Sequence, residues 1–233
     1  MLGILLLAGV SYLIGSIPFG FLVGRAKGID LRTVGSGNIG STNVYRALGL
    51  GTAILVFALD AGKGFAGTRI VPVLGASAWD AGYVRLICAA ATILGSVAGV
   101  FMRFRGGKGV AAGAGVFLGL APLPTGICIG IWVGLVVLTK YVSVGSLAAA
   151  ASLPVLVAAF NRLEYSRDPV FYLAAAVAAV VFVRHRANLK RLADGTENRV
   201  GGKRPGTVTP AGCGTSTPDA DSRPAGSAGG GSQ

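Results

Sequence analysis

Charge is what this 233-residue chain has least of: Asp, Glu, Lys and Arg make up 13% of it, about half the share usual in a soluble domain. Met1–Gly24 carries no charged side chain, nor do Leu86–Met102, Val110–Thr139, Tyr141–Asn161 and Pro169–Val183. With 52% hydrophobic residues and a mean hydropathy of +0.68, an ordinary soluble globule is excluded. The uncharged runs read as transmembrane helices, each needing about 20 apolar residues. The first run is long and has no basic segment before it, which argues against a cleaved signal peptide. Histidine is nearly missing: His185 is the single one, so any His-dependent step must use it. Cysteine is scarce too, and Cys88, Cys128 and Cys213 show no metal-ligand spacing. Neither a disulfide framework nor a metal is expected, and no cofactor. There is no G-x-S-x-G elbow and no carboxylate close to His185 in sequence, so no nucleophilic triad is available. No internal repeat is found.

The formal net charge is nevertheless +12. In a soluble protein that would suggest nucleic acid; here topology partitions it, and no nucleic-acid partner is expected. Basic residues dominate 25–46, 103–108, Lys140 and 184–204, whereas the links 75–85 and 161–168 are neutral. Pro122 and Pro124 break the longest apolar run. With two helices there, every basic segment falls on one side, as the positive-inside rule requires. The expected fold is an all-α polytopic membrane protein with seven transmembrane helices, two of them short around Pro122 and Pro124. Its N-terminus lies outside and its C-terminus in the cytoplasm. Residues 1–199 form the membrane domain, and 200–233, rich in Gly, Pro, Ser and Thr, read as a disordered cytoplasmic tail.

Polar clusters punctuate these runs. Gly35-Ser36-Gly37-Asn38-Ile39-Gly40-Ser41-Thr42-Asn43, closed by Arg46, has flexible backbone, hydroxyl and amide donors, a guanidinium and no carboxylate. That is the composition of an anion cradle, although Gly/Ser/Asn loops are common. Arg103-Phe104-Arg105-Gly106-Gly107-Lys108-Gly109 makes a second basic turn before an apolar helix. It lacks the glycine spacing of a P-loop. Asp60 and Lys63 share a helix face inside an apolar run, where ionisable groups mark a functional site or a structural pair. Gly64 and Gly67 would let another backbone approach. Ser143 and Ser146 sit at one helix end; they either line a site or bond back within their helix. Arg184-His185-Arg186 to Leu192 follows the last run, as a site or an anionic-lipid patch. Together these clusters point to phosphate handling at one membrane face.

In combination they resemble the bacterial acyl-phosphate-dependent glycerol-3-phosphate acyltransferases, the PlsY family. The residues that carry the likeness are Ser16-Ile17-Pro18-Phe19-Gly20, the 35–46 cradle, Asp60…Lys63-Gly64, Phe104 to Ala111, Tyr141…Ser143 and Arg184 to Glu197. The resemblance covers roughly 9–199. It implies a multi-pass enzyme of the bacterial cytoplasmic membrane that moves an acyl group from long-chain acyl phosphate to the 1-hydroxyl of sn-glycerol 3-phosphate. A monomer in the lipid bilayer is expected. By resemblance Lys108, Arg46, His185 and Asn188 are the catalytic residues. Ser36, Gly37, Asn38, Gly40, Thr42, Asn43, Lys63, Gly106, Gly107, Gly109 and Ser143 would hold substrate phosphates, with Asp60 and Ser146 in support. Three positions depart from the family pattern: Ser96 for a usual His, Gly99 for Pro or Ser, and Ala112 for Thr. A transporter or channel for a small organic phosphate stays open as the alternative reading.

Overall fold

A computed structural model describes residues 2–75, 81–161 and 168–201. Residues 76–80 of the predicted link 75–85, 162–167 of the link 161–168 and 202–233 of the predicted tail 200–233 lie outside the described residues. Those described form an all-helical membrane protein: α1 (Leu2–Ser16), α2 (Phe19–Ala26), α3 (Ser41–Leu48), α4 (Leu50–Phe65), α5 (Ala81–Val97), α6 (Val110–Leu120), α7 (Pro122–Thr139), α8 (Val142–Asn161), α9 (Pro169–Arg184) and α10 (Arg186–Ala193). Five segments are long and apolar enough to cross a membrane: Leu2–Ala26, Leu50–Leu74, Ala81–Met102, Pro122–Thr139 and Val142–Phe160. The pair α9 and α10, bent by 56°, counts as a sixth. α6 is apolar but only 11 residues long. The break predicted near Pro122 falls at Ala121, with Pro122 opening α7, where its missing N–H costs nothing. Of the two helices expected to be short there, α7 has 18 residues, and only α6 is short.

Lipid supplies no hydrophobic drive between helices, so close packing of small residues holds them together. α1 and α5 meet through a reciprocal pair: Gly15 lies against the Thr92 backbone and Gly95 against the Tyr12 carbonyl, with no room for a Cβ at either. α4 and α6 meet the same way, Gly64 on the Ala112 carbonyl and Gly115 on the Ala61 carbonyl. Of the two glycines expected to admit another backbone, Gly64 does so, whereas Gly67 packs on the Thr92 side chain. Gly99 presses on Ser16 and the Gly95 carbonyl, leaving no space for a larger residue. Leu2, Leu5, Ile54, Leu94 and Leu138 point outward, as lipid-facing residues should.

Pro18 interrupts the first span between α1 and α2. The Ile17 carbonyl there receives the Lys63 ammonium at 2.7 Å, and Lys63 pairs with Asp60 at 2.7 Å. A buried cation thus satisfies a broken helix and is itself neutralised within the bundle.

Candidate active site

Two helix N-termini open onto one polar pocket of about 110 Å³. The first belongs to α3. The loop before it turns left-handed at Gly35 (φ 59°) and Gly37 (φ 67°). Asn43 sets its shape: Oδ1 accepts the Ser36 N–H at 3.0 Å, and Nδ2 donates to the Leu31 and Val34 carbonyls, each at 3.0 Å. Asn38 Oδ1 takes the Gly40 N–H at 2.8 Å. Gly40 caps α3 without a side chain, which leaves the first amides of the helix for an external acceptor. Ser36, Asn38, Gly40, Thr42 and Arg46 all line the pocket. Gly37 does not; it serves the turn. Asn43 borders the pocket, but its amide is spent on the loop.

The second N-terminus belongs to α6, capped by Gly109 at φ 79° with no side-chain cap. The Gly106 and Gly107 N–H groups donate to the carbonyls of Val97 and Ser96, each at 3.1 Å. Both amides are used against α5 and are not free for a substrate phosphate, unlike the role the resemblance implies for Gly106 and Gly107. Arg184, at the end of α9, clamps the outer side. Its Nη2 donates to the Gly106 and Gly107 carbonyls at 2.5 and 3.0 Å, and its Nε to Gly107 at 3.2 Å.

Lys108 projects from this turn and donates to Asn188 Oδ1 at 2.5 Å. Asn188 Nδ2 donates to Glu197 Oε1 at 2.7 Å, and Ser143 Oγ to the same oxygen at 3.0 Å. Arg191 Nε closes on Glu197 Oε2 at 2.8 Å. Ser143 therefore orients Glu197 and does not line the pocket, unlike the phosphate ligand expected of it. Ser146 lines the pocket, bonds back to the Val142 carbonyl at 2.9 Å and accepts the Trp132 indole N–H at 3.2 Å. His185 is buried with Nδ1 2.8 Å from the Val181 carbonyl. In the neutral ring this contact holds the proton on Nδ1 and leaves Nε2 as an acceptor.

Charge is concentrated here. Burial pulls the Lys108 ammonium down to about 8; the Glu197 carboxylate opposes this, while Arg191, Arg46 and Arg184 add to it. Burial works against ionised Glu197, yet hydrogen bonds from Asn188, Arg191 and Ser143 keep its carboxyl below the ordinary value. Burial likewise lowers Arg46, with Glu197 opposing. One carboxylate thus faces several cations, leaving a net positive pocket suited to phosphates. Asp60 and Lys63 sit at its wall, already paired. Among the described residues no three His, Cys, Asp or Glu side chains are grouped to hold a metal.

Arg46, Lys108, His185 and Asn188, separated by up to 142 positions, line this one pocket. Ser96 and Ala112 line it as well. The orienting roles of Glu197 and Arg184 were missed from sequence, since no spacing aims either side chain at its partner. A second, apolar cavity of about 290 Å³ runs between α6, α7, α8 and α9, lined by Gly113, Phe117, Cys128, Ile129, Leu153 and Val177 among others. It shares Phe57, Gly109, Val110, Trp132 and Ser146 with the polar pocket. A phosphate-sized site and an apolar channel therefore adjoin.

Comparison with known proteins gives the family. Residues 5–195 match the family described as glycerol-3-phosphate acyltransferase. The chain is 44% identical over 200 residues to the Geobacter sulfurreducens glycerol-3-phosphate acyltransferase, covering 85% of this chain and 98% of that one. It is 45% identical over 192 residues to the Thermus thermophilus protein of the same name, covering 82% and 92%. The crystal structure of PlsY, an integral membrane glycerol 3-phosphate acyltransferase, in its glycerol 3-phosphate form superposes with a TM-score of 0.75 at 36% identity, over 84% of this chain and 95% of that one. Its lysophosphatidic acid form gives 0.71 at 35%, over 84% and 94%. Two capped-by-glycine helix ends, a lysine–asparagine–glutamate chain and an adjoining apolar channel thus occur in a chain that belongs to the glycerol-3-phosphate acyltransferase family.

Proposed function

We propose that this protein transfers an acyl group from long-chain acyl phosphate to the 1-hydroxyl of sn-glycerol 3-phosphate, giving lysophosphatidic acid and inorganic phosphate. The observation that carries the reading is the continuity of the positive pocket with the apolar cavity. One binds phosphoryl groups; the other takes the acyl chain. Acyl phosphate is an activated mixed anhydride, so the protein needs chiefly to position two substrates and stabilise charge. Ser36, Asn38, Thr42, Arg46 and the α3 N-terminus hold one phosphate. Lys108 and the α6 N-terminus hold the acyl phosphate and the oxyanion that forms on its carbonyl. His185 and Asn188 orient glycerol phosphate.

The hydroxyl oxygen attacks the acyl carbon, the carbon–oxygen bond to phosphate breaks, and phosphate leaves. A phosphate oxygen of the substrate accepts the hydroxyl proton, consistent with the lack of a protein triad. Lys63 and Asp60 frame the wall through Ile17. The short α6 serves as the seventh spanning segment, which puts the N-terminus outside and the pocket on the cytoplasmic side of a bacterial inner membrane. The working unit is a monomer.

The test is purified protein in detergent with palmitoyl phosphate and glycerol 3-phosphate. Stoichiometric phosphate and lysophosphatidic acid are expected. Absence of phosphate release would overturn the reading in favour of a lipid-binding scaffold. Phosphate movement seen only in sealed vesicles would favour a transporter.

A further inference from the structure

Arg103 and Phe104 are consecutive non-glycine residues in the left-handed region, at φ 50° and 61°. Bulky side chains rarely take that conformation, and a pair of them stores strain that the surroundings must hold. Hydrogen bonds do so: the Arg103 N–H to Val100, Phe104 to Gly99 at 2.9 Å and Arg105 to Met102. The strained turn places Phe104 outward, 66% exposed, between two exposed arginines. Phe101, in the turn just before, is 59% exposed. This peak lies directly after the apolar span Ala81–Met102, in which α5 supplies 17 residues, about 25 Å of helix, and a short tight turn completes the crossing. Phe104 therefore sits where acyl chains give way to headgroups, the level that aromatic residues favour. Arg186 and Lys190, exposed on α10 just beyond the Arg184 clamp, extend the positive surface. Nothing in the catalytic proposal uses any of these side chains.

We propose that Arg103-Phe104-Arg105 is an interfacial wedge for anionic phospholipid: the ring enters the acyl boundary and the two guanidinium groups take lipid phosphates, fixing the height of the Gly106-Gly107-Lys108 turn against the bilayer. The partner follows from charge complementarity, two exposed cations with no ion pair among the described residues around one exposed ring. The cost of the left-handed pair is then explained, since relaxing it would turn the ring away from the membrane. The activity arm below rests on the proposed acyl transfer; the lipid arm does not.

The experiment compares the wild type with Arg103→Gln/Arg105→Gln and Phe104→Asn. Native mass spectrometry after extraction from phosphatidylglycerol–phosphatidylcholine nanodiscs reads retained anionic lipid, and acyl transfer is measured in nanodiscs with and without phosphatidylglycerol and in neutral detergent. Each arginine should contribute a roughly fivefold preference for anionic lipid. The double variant should lose that retention and the phosphatidylglycerol stimulation together. Phe104→Asn fits the left-handed backbone better. It should melt no lower than wild type in detergent yet fall behind it in nanodiscs. Equal lipid retention by wild type and double variant would overturn the proposal, as would a loss of transfer for either variant that is the same in detergent as in bilayers. If the wild type transfers no acyl group anywhere, acyl transfer fails, and lipid retention alone decides the wedge.

Discussion

The two glycine-rich turns deliver two helix N-termini to the same pocket, but they are held in opposite ways. The turn before α3 is fixed from within: Asn43, a neutral amide, reaches back no more than 12 residues to Leu31, Val34 and Ser36. The turn before α6 is fixed from outside, by the charged Arg184 some 77 residues away and by α5 carbonyls. The first is a local structure that its own sequence can write. The second exists only once α5, α6 and α9 are packed. The pocket proposed to hold two phosphates thus joins a self-contained half to a half contingent on the fold.

That contrast can be broken from either side. The largest effect is expected at the reacting group: Lys108→Ala should lower kcat by about 10³ without impairing assembly, as loss of a charged oxyanion donor does. Steady-state kinetics on protein of unchanged gel-filtration profile checks this. Arg184→Gln should release the outer side of the second turn and cost about 10² in kcat/KM through misplacement of Lys108. Asn43→Ala should act more mildly, raising KM for glycerol 3-phosphate about tenfold and lowering local stability by about 2 kcal/mol as three backbone groups lose their partner. Hydrogen exchange confined to 31–43 for Asn43→Ala, but spread over α5, α6 and α9 for Arg184→Gln, would sharpen the comparison; the same pattern for both would end it.

The smallest effect concerns pH. Lys108 must be charged to stabilise an oxyanion, and its ammonium is lowered to about 8. The charged form therefore prevails below that pH and is lost above it, so kcat/KM should fall about tenfold per unit on the alkaline side. Glu197 supports that charge. Glu197→Gln should then move the alkaline limb to lower pH, and an unmoved limb would deny the coupling.

Much of this was legible in sequence. Uncharged runs gave the helices, Pro122 the break in the longest of them, and Gly64 a backbone contact face. The cradle at 35–46 was legible as an anion-loop composition that other loops share, and the role expected of Lys108 came from the resemblance of its glycine-rich turn to the family pattern. What stayed hidden was direction. Asn43 looks like a ligand donor, yet all its bonds turn inward. Gly106 and Gly107 look like free amides, yet both are consumed by α5. Ser143 and Glu197 meet across 54 positions, and no local pattern encodes such a partner.

After Met102 the polypeptide doubles back along α5: Phe104 bonds to Gly99, Gly106 to Val97 and Gly107 to Ser96. α6 then starts from that lowered point, and its 11 residues rise only about 16 Å, against about 27 Å for the 18 of α7. Lys108, just before α6, therefore lies nearer the Ala121 break than the far end of α7 does. On the proposed reaction, a greasy donor need not climb out of the leaflet to react; its hydrophilic acceptor descends to it instead.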